Sequence, residues 1–234
     1  MTSPYLNMLA SLGVGGAHPG GLAVTKQLID YINLKNNVKM IDIGCGTGQT
    51  VQYLHNHGFT VVGIDANNEM ITRARKRFTD EDPILLYQMD IENLKQLNQS
   101  FQFALCESVL SFTNLSHSLE AIYHVLEECG TLVAIEMVMT KPLTDKEKKE
   151  LQSFYGFQHF YTREEWIAFF QKEKYHVMDV IHPDEWIIEE TEPMTEFDLS
   201  GTVQEEHFEL LSKHEQLTKK YEDKLNYAIF ICKK

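Results

Sequence analysis

The stretch Val38-Lys39-Met40-Ile41-Asp42-Ile43-Gly44-Cys45-Gly46-Thr47-Gly48 constrains this chain more than any other. Met40, Ile41 and Ile43 form a short apolar run with Asp42 inside it, and the run leads straight into three glycines within five residues. Such a run reads as a buried strand. Glycines let the following turn take positive φ and let the backbone come close to a ligand. Gln49–His57 then reads as a short helix stopped by Gly58. A helix start offers free N–H groups and a partial positive charge. Strand, glycine turn and helix start together make a cradle for a ligand.

The spacing departs from the dinucleotide fingerprint G-x-G-x-x-G, because Gly48 falls one place early and Gln49 stands where the third glycine belongs. Thr60-Val61-Val62-Gly63-Ile64-Asp65 is a second strand ending in an acid, seventeen positions past Gly48. An acid there accepts hydrogen bonds from ribose hydroxyls in nucleotide-binding α/β units. It also has a plainer use as the cap of a helix over 67–78, a role equally open to Asn67. A third strand, Ile84–Met89, is followed by Asp90. Ligands of open α/β sheets lie beyond the carboxyl ends of parallel strands, so three strands with polar tips point to one ligand-binding rim.

Asp42-x-Gly44-x-Gly46-x-Gly48, with Asp65 downstream, resembles motif I of the class I S-adenosyl-L-methionine-dependent methyltransferases of small-molecule type. That resemblance implies a Rossmann-like α/β fold: a seven-stranded, mostly parallel sheet with helices on both faces, an N-terminal helix and a helical lid insertion. It also implies S-adenosylmethionine as cofactor, with contacts from Gly20, Gly21, Asp42, Gly44, Cys45, Gly46, Asp65, Ala66, Met70, Asp90, Ile91 and Glu107. Asp90 corresponds to the position that reaches the adenine amino group, with the Ile91 N–H facing the ring. Cys45 reads as a space-filler, since methyl transfer requires no enzyme thiolate.

Residues 1–21 are glycine-rich and precede an amphipathic helix over Leu22–Asn33, with Leu22, Leu28, Ile29 and Ile32 at helical spacing. Gly20-Gly21 is either a plain loop-to-helix junction or, by resemblance, a helix start that meets the methionine carboxylate, bringing His18 and Tyr5 near the methyl group. Phe101–Glu107 reads as the fourth strand, with Gln102 where the family usually has Asp. Glu107 is either an exposed strand end or part of the reaction centre, and Phe112 follows it along the same rim. Leu115–Cys129 reads as a helix with Ser116 as cap and Gly130 as stop, and Thr131–Glu136 as the fifth strand. The passage Val125–Glu136 is similar to one in methyltransferases of quinone biosynthesis.

Beyond Lys141 a charged segment leads into Phe154–Tyr161, where five of eight residues are aromatic. That run is either a buried packing patch or a lid whose rings, Tyr155 among them, wall the substrate cavity and favour a sulfonium through cation–π attraction. Thr162 and Glu165 have capping-box spacing for a helix over Trp166–Lys174. A sixth strand within Tyr175–Ile188, interrupted by Pro183, a helix over Glu206–Tyr221 and a last, antiparallel strand over Leu225–Cys232 complete the chain. The expected arrangement is one domain: 1–37 covering the cofactor, 38–138 binding it, 141–161 as lid and 162–234 completing the sheet.

A formal charge of −13 argues against a nucleic-acid partner, because phosphate binding rests on clustered Lys and Arg. The basic run Arg73–Arg77 reads as a solvated helix face. No apolar stretch is long enough to cross a membrane and no secretory pattern opens the chain, which suggests a cytoplasmic protein. Four scattered cysteines show neither metal spacing nor a disulfide framework; by analogy with the family, the lack of a visible metal cluster disfavours magnesium-dependent transfer and the lack of a reactive-cysteine set disfavours arsenite-type transfer. The expected partner is a small-molecule methyl acceptor with an O, N, S or C nucleophile, and the expected assembly a monomer or homodimer. His18, Glu107 and Glu136 are candidate bases; Tyr5, His18, Phe112 and Tyr155 are candidate substrate contacts. Two other readings compete: a protein that binds the cofactor without catalysis, and a nicotinamide oxidoreductase, which the early third glycine and Asp42 disfavour.

Overall fold

The computed structural model describes residues 3–35, 37–79, 82, 84–182, 186, 195–201 and 203–234. In chain order the elements are α1 (Pro4–Leu12), β1 (Val14–Gly15), α2 (Gly21–Ile32), β2 (Lys39–Ile43), α3 (Gln49–Asn56), β3 (Thr60–Asp65), α4 (Asn68–Arg75) and β4 (Leu85–Gln88). They continue with β5 (Phe101–Glu107), α5 (Leu115–Val125), β6 (Leu126–Met139), α6 (Asp145–Tyr155), α7 (Arg163–Lys172), β7 (His176–Ile181), β8 (Glu196–Phe197), α8 (Glu205–Tyr221) and β9 (Leu225–Lys233). Seven strands form one sheet in the order β4-β3-β2-β5-β6-β9-β7. β9 runs antiparallel to both β6 and β7, and the remaining pairings are parallel. The antiparallel strand predicted from Leu225 onward therefore lies inside the sheet, between its two neighbours.

Alternation along the strands sorts the core into two layers. Ile41 and Ile43 of β2 face Leu115, Leu119 and Ile122 of α5 and Trp166 and Phe170 of α7. Met40, from the other side of the same strand, packs with Val24 and Leu28 of α2, Val51 and Leu54 of α3 and Ile71 of α4. A third apolar cluster stands over the carboxyl ends of the strands, where α1 (Met8, Leu9, Leu12), α6 (Leu151, Phe154, Tyr155) and α8 (Leu217, Tyr221) meet. That cluster roofs the rim.

Three segments differ from their sequence reading. The helix expected over Leu115–Cys129 stops at Val125, and Asn114, not Ser116, caps it by accepting from the His117 N–H. Leu126 already pairs with Phe101, and a register shift follows before Thr131 pairs with Phe103. Cys129 takes φ +63° in this bulge, and Gly130 lies inside β6. A Cβ at Gly130 would stand 2.8 Å from the Glu127 carbonyl oxygen, so glycine serves the bulge and not a helix stop. Second, residues 4–12, read as part of a glycine-rich lead-in, form α1, with the Ser3 hydroxyl accepting from the Leu6 N–H and Pro4 in the first turn.

Third, the basic run is not a uniform solvated face. Arg73 is buried and bonds the Ser11 carbonyl, the Asp198 carbonyl and the Glu69 carboxylate, while Arg77 holds Thr47 and Glu196. Both arginines fasten the two-stranded β1–β8 ribbon to α4 and the glycine turn. The sixth strand is seen over His176–Ile181, and Pro183 lies outside the described residues. Among the described residues no helix is long and apolar enough to cross a membrane.

Candidate functional site

The glycine turn after β2 is held by its neighbour strand: the N–H groups of Gly44 and Cys45 both donate to the Ile64 carbonyl, at 2.8 and 2.9 Å. Gly44, Gly46 and Gly48 take φ of +76°, +53° and +79°, a region open to glycine at little cost. A Cβ on Gly44 would lie 2.4 Å from Val109 Cγ2, whereas one on Gly46 would meet no atom within 4 Å. Gly46 therefore leaves space on the ligand side, and Gly44 is needed for packing of the turn against the loop after β5.

These elements surround a cavity of about 1070 Å³. That is slightly above the roughly 300–1,000 Å³ usual for one small ligand. The strand ends and the turn form its floor; α1, α6 and α8 close it from above. Every residue singled out from sequence as a cofactor, substrate or base candidate borders this one space: Tyr5, His18, Gly20, Gly21, Asp42, Gly44, Cys45, Gly46, Asp65, Ala66, Met70, Asp90, Ile91, Glu107, Phe112, Glu136 and Tyr155.

Three acids line the floor. Asp65 accepts from the Gly46 N–H (3.0 Å) and the Asn67 N–H (2.7 Å), while Asn67 itself caps α4. Each Asp65 oxygen accepts one of these bonds and has capacity for another, and the residue lines the cavity. Burial raises the Asp65 carboxyl against the lowering effect of those two N–H groups. Asp42 is 2% exposed and its Oδ2 has no hydrogen-bond partner. Burial, with Glu107 and Asp65 nearby, pushes its carboxyl well above the usual carboxylate range. Asp90 caps the short helical turn over Ile91–Leu97 through the Glu92 N–H.

Glu107 ends β5 with a nearly buried side chain, which decides against the exposed strand-end alternative. It accepts from Thr25 Oγ1 of α2 (2.5 Å) and Thr50 Oγ1 of α3 (2.8 Å), and His18 Nε2 lies 3.5 Å away. Glu136, fully buried, accepts from the N–H groups of Val109, Leu110 and Ser111 and from the Ser111 hydroxyl. Four donors make it a clamp on the loop 108–112. Burial still outweighs them and raises its carboxyl to about 7.

The roof brings groups that sequence reading did not single out. Tyr155 OH pairs with His214 Nδ1 at 2.9 Å, and the Tyr5 ring lies 4.9 Å from Tyr155 and 5.0 Å from His214. Burial raises the Tyr155 phenol to about 12 and holds His214 below its ordinary value. His214, Leu217, Thr218 and Tyr221 share one stripe of α8 at spacings of three and four, a signal present in the sequence and visible only once the face is known. Of the aromatic run 154–161, Phe154 packs in the roof cluster, while Tyr155 and Phe157 also border the cavity. Among the described residues no group of three or more His, Cys, Asp or Glu is arranged to hold a metal ion.

With this geometry the comparisons are informative. Residues 41–134 match the Methyltransferase domain family. An uncharacterized methyltransferase of Bacillus subtilis (strain 168), YodH, is 38% identical across 99% of this chain and 100% of its own length. A phosphoethanolamine N-methyltransferase of Plasmodium falciparum is 29% identical over 56% of this chain and 51% of its own. In structure, a SAM-dependent methyltransferase from Thiobacillus denitrificans, solved with S-adenosyl-L-homocysteine, superposes with a TM-score of 0.70 at 17% identity over 99% of both chains, a likeness of fold. The full-length match and the sheet order place this chain in the class I, S-adenosyl-L-methionine-dependent methyltransferase family.

Proposed function

We propose that the chain transfers a methyl group to an O, N, S or C nucleophile of a small molecule held under the roof of the cavity. The observation that carries this is the pairing of one continuous space with uncommitted acceptors on its floor. Of four buried side-chain polar atoms without a partner among the described residues, two, Asp42 Oδ2 and Gln49 Oε1, belong to residues that line it. Buried acceptors left alone are costly, so these atoms suit a ligand rich in N–H and O–H donors. The amino group and ribose of S-adenosylmethionine supply such donors, and the space beside Gly46 admits them.

On this reading Asp65 holds the ribose, Asp42 and Gln49 take the remaining donor hydrogens, and Met70 and Ile91 wall the adenine. The helix start at Gly20–Gly21 faces the carboxylate. When bound, the cofactor would supply a sulfonium methyl open to in-line attack by the acceptor nucleophile, the thioether sulfur leaving with the C–S electron pair and any acceptor proton passing to a base or solvent. Tyr5, Phe112, Tyr155 and Phe157 exclude water and orient the acceptor, which is the protein's main contribution to such a displacement. His18 and Glu107 remain the better-placed bases, since Glu136 is engaged by the loop it clamps. Residues 1–37 act as cover, 38–138 as donor-binding core, 141–161 as lid, and 162–234 complete the sheet.

Calorimetry with S-adenosylmethionine, S-adenosylhomocysteine and NAD tests the donor assignment: the first two bind and NAD does not. Asp65→Ala weakens S-adenosylmethionine binding at least tenfold, roughly 1.4 kcal/mol. Nicotinamide binding without sulfonium binding, or wild-type affinity in the variant, overturns the assignment. A mass-spectrometric search of cell extract for products one methyl heavier identifies acceptors.

A further inference from the structure

The wall of the cavity is one-sided in charge. Six carboxyl groups border it: Asp42 and Glu136 are buried, with burial favouring their neutral forms, Asp65 and Glu107 are partly buried, and Asp90 and Glu222 stand exposed at its rim. Among the described residues its lining contains no lysine and no arginine. Several cations near the rim are committed elsewhere, Arg73 to Asp198 and Glu69, Arg77 to Glu196, Lys220 to Glu150 and Lys224 to Glu147, while Lys213 and Lys219, next in sequence to His214 and Thr218, are exposed and lie outside the lining. His18 and His214 are the remaining lining side chains able to carry positive charge; His18 lies against Glu107, and burial disfavours the charged form of His214.

A donor of net charge +1, with its sulfonium and ammonium against one carboxylate, offsets only part of this wall. The helix start at Gly20–Gly21 would be taken by the donor's own carboxylate. The roof side is aromatic instead, with Tyr5, Phe112, Tyr155, Phe157 and Tyr221 bordering the cavity. Rings offer flat apolar contact and attract cations. The net charge of −13 adds a field that draws cations in and turns anions away.

We propose that the acceptor is an uncharged or cationic molecule with a flat apolar body, and that this cavity rejects acceptors bearing phosphate or carboxylate groups. The inference rests on the donor-binding reading above and deepens it. It separates this chain from its relatives named for phosphoethanolamine, because a phosphate ester requires the charge-assisted donors that this lining lacks.

The test uses the whole protein saturated with S-adenosylhomocysteine, whose binding is measured first and separately. Affinities are then measured by ligand-observed NMR at pH 7.5 for four probes: tyramine, 4-ethylphenol, 4-hydroxyphenylacetate and phosphoethanolamine. Tyramine and 4-ethylphenol bind, Phe112→Ala weakens both, and 4-hydroxyphenylacetate and phosphoethanolamine are each at least tenfold weaker than 4-ethylphenol. Either anionic probe coming within tenfold of 4-ethylphenol overturns the inference, as does failure of both tyramine and 4-ethylphenol to bind or their insensitivity to Phe112→Ala. Absence of S-adenosylhomocysteine binding would instead overturn the donor assignment, so the two failures are distinguishable.

Discussion

Glu136 shows how one side chain couples the rim to pH. Its carboxyl titrates near 7 in the folded protein against an ordinary 4.5. Between those values the folded state keeps a proton that the unfolded chain has released, so stability falls as pH rises through this window. The stabilisation is complete below about 4.5 and lost above about 7, on the order of 3 kcal/mol in all. Asp42, raised by burial, adds to the slope with the same sign. Urea midpoints for wild type and Glu136→Gln across this range check it: the variant's stability depends less on pH, whatever its absolute value. Asp42→Asn flattens the pH dependence of stability in the same way, and calorimetry finds its S-adenosylmethionine affinity at least tenfold lower.

Among the elements, α4 carries more than its own length suggests. Arg73 reaches from it to Ser11 and Asp198, drawing the end of α1 and the segment after β8 toward the glycine turn. Arg73→Ala strands the Ser11 and Asp198 carbonyls and costs about 2 kcal/mol or more, whereas Lys76→Ala, on the exposed end of the same helix, stays within about 0.5 kcal/mol. Chemical denaturation of the two variants side by side measures the contrast. The capping boxes of α6 and α7 are local devices: Thr162 accepts from the Glu165 N–H while the Glu165 carboxylate reaches back to the Thr162 N–H. Thr162→Ala lowers stability by about 1 kcal/mol in the same measurement.

At the scale of the whole molecule, a ligand in this cavity touches all three layers: the floor of strand ends, the α2 start and the roof of α1, α6 and α8. Binding to the native state alone stabilises it by about 2.7 kcal/mol at ligand one hundred times Kd. That corresponds to a Tm increase of roughly 5–10 °C for a chain of this size. A melt of the full chain with S-adenosylhomocysteine measures it, and NAD at the same concentration leaves Tm unchanged.

The sheet and the glycine turn were legible because they follow local rules. Two-residue alternation fixes which face of β2 carries Ile41 and Ile43, and the glycines mark where positive φ and close approach are needed. Asp65 was placed at the rim by the strand it ends, and sheet order then set it beside Gly46. What only the folded molecule decided are contacts between distant positions: Thr25 with Glu107 across 82 residues, Tyr155 with His214 across 59, and the Arg73 strut to Asp198 across 125. No neighbour in the chain specifies these, because a helix can bury its apolar stripe against more than one surface, and the choice is made by the packing of the whole core. The bulge at Cys129–Gly130 belongs with them. A glycine after an amphipathic run ends a helix by local rules, and here pairing with β5 overrode those rules.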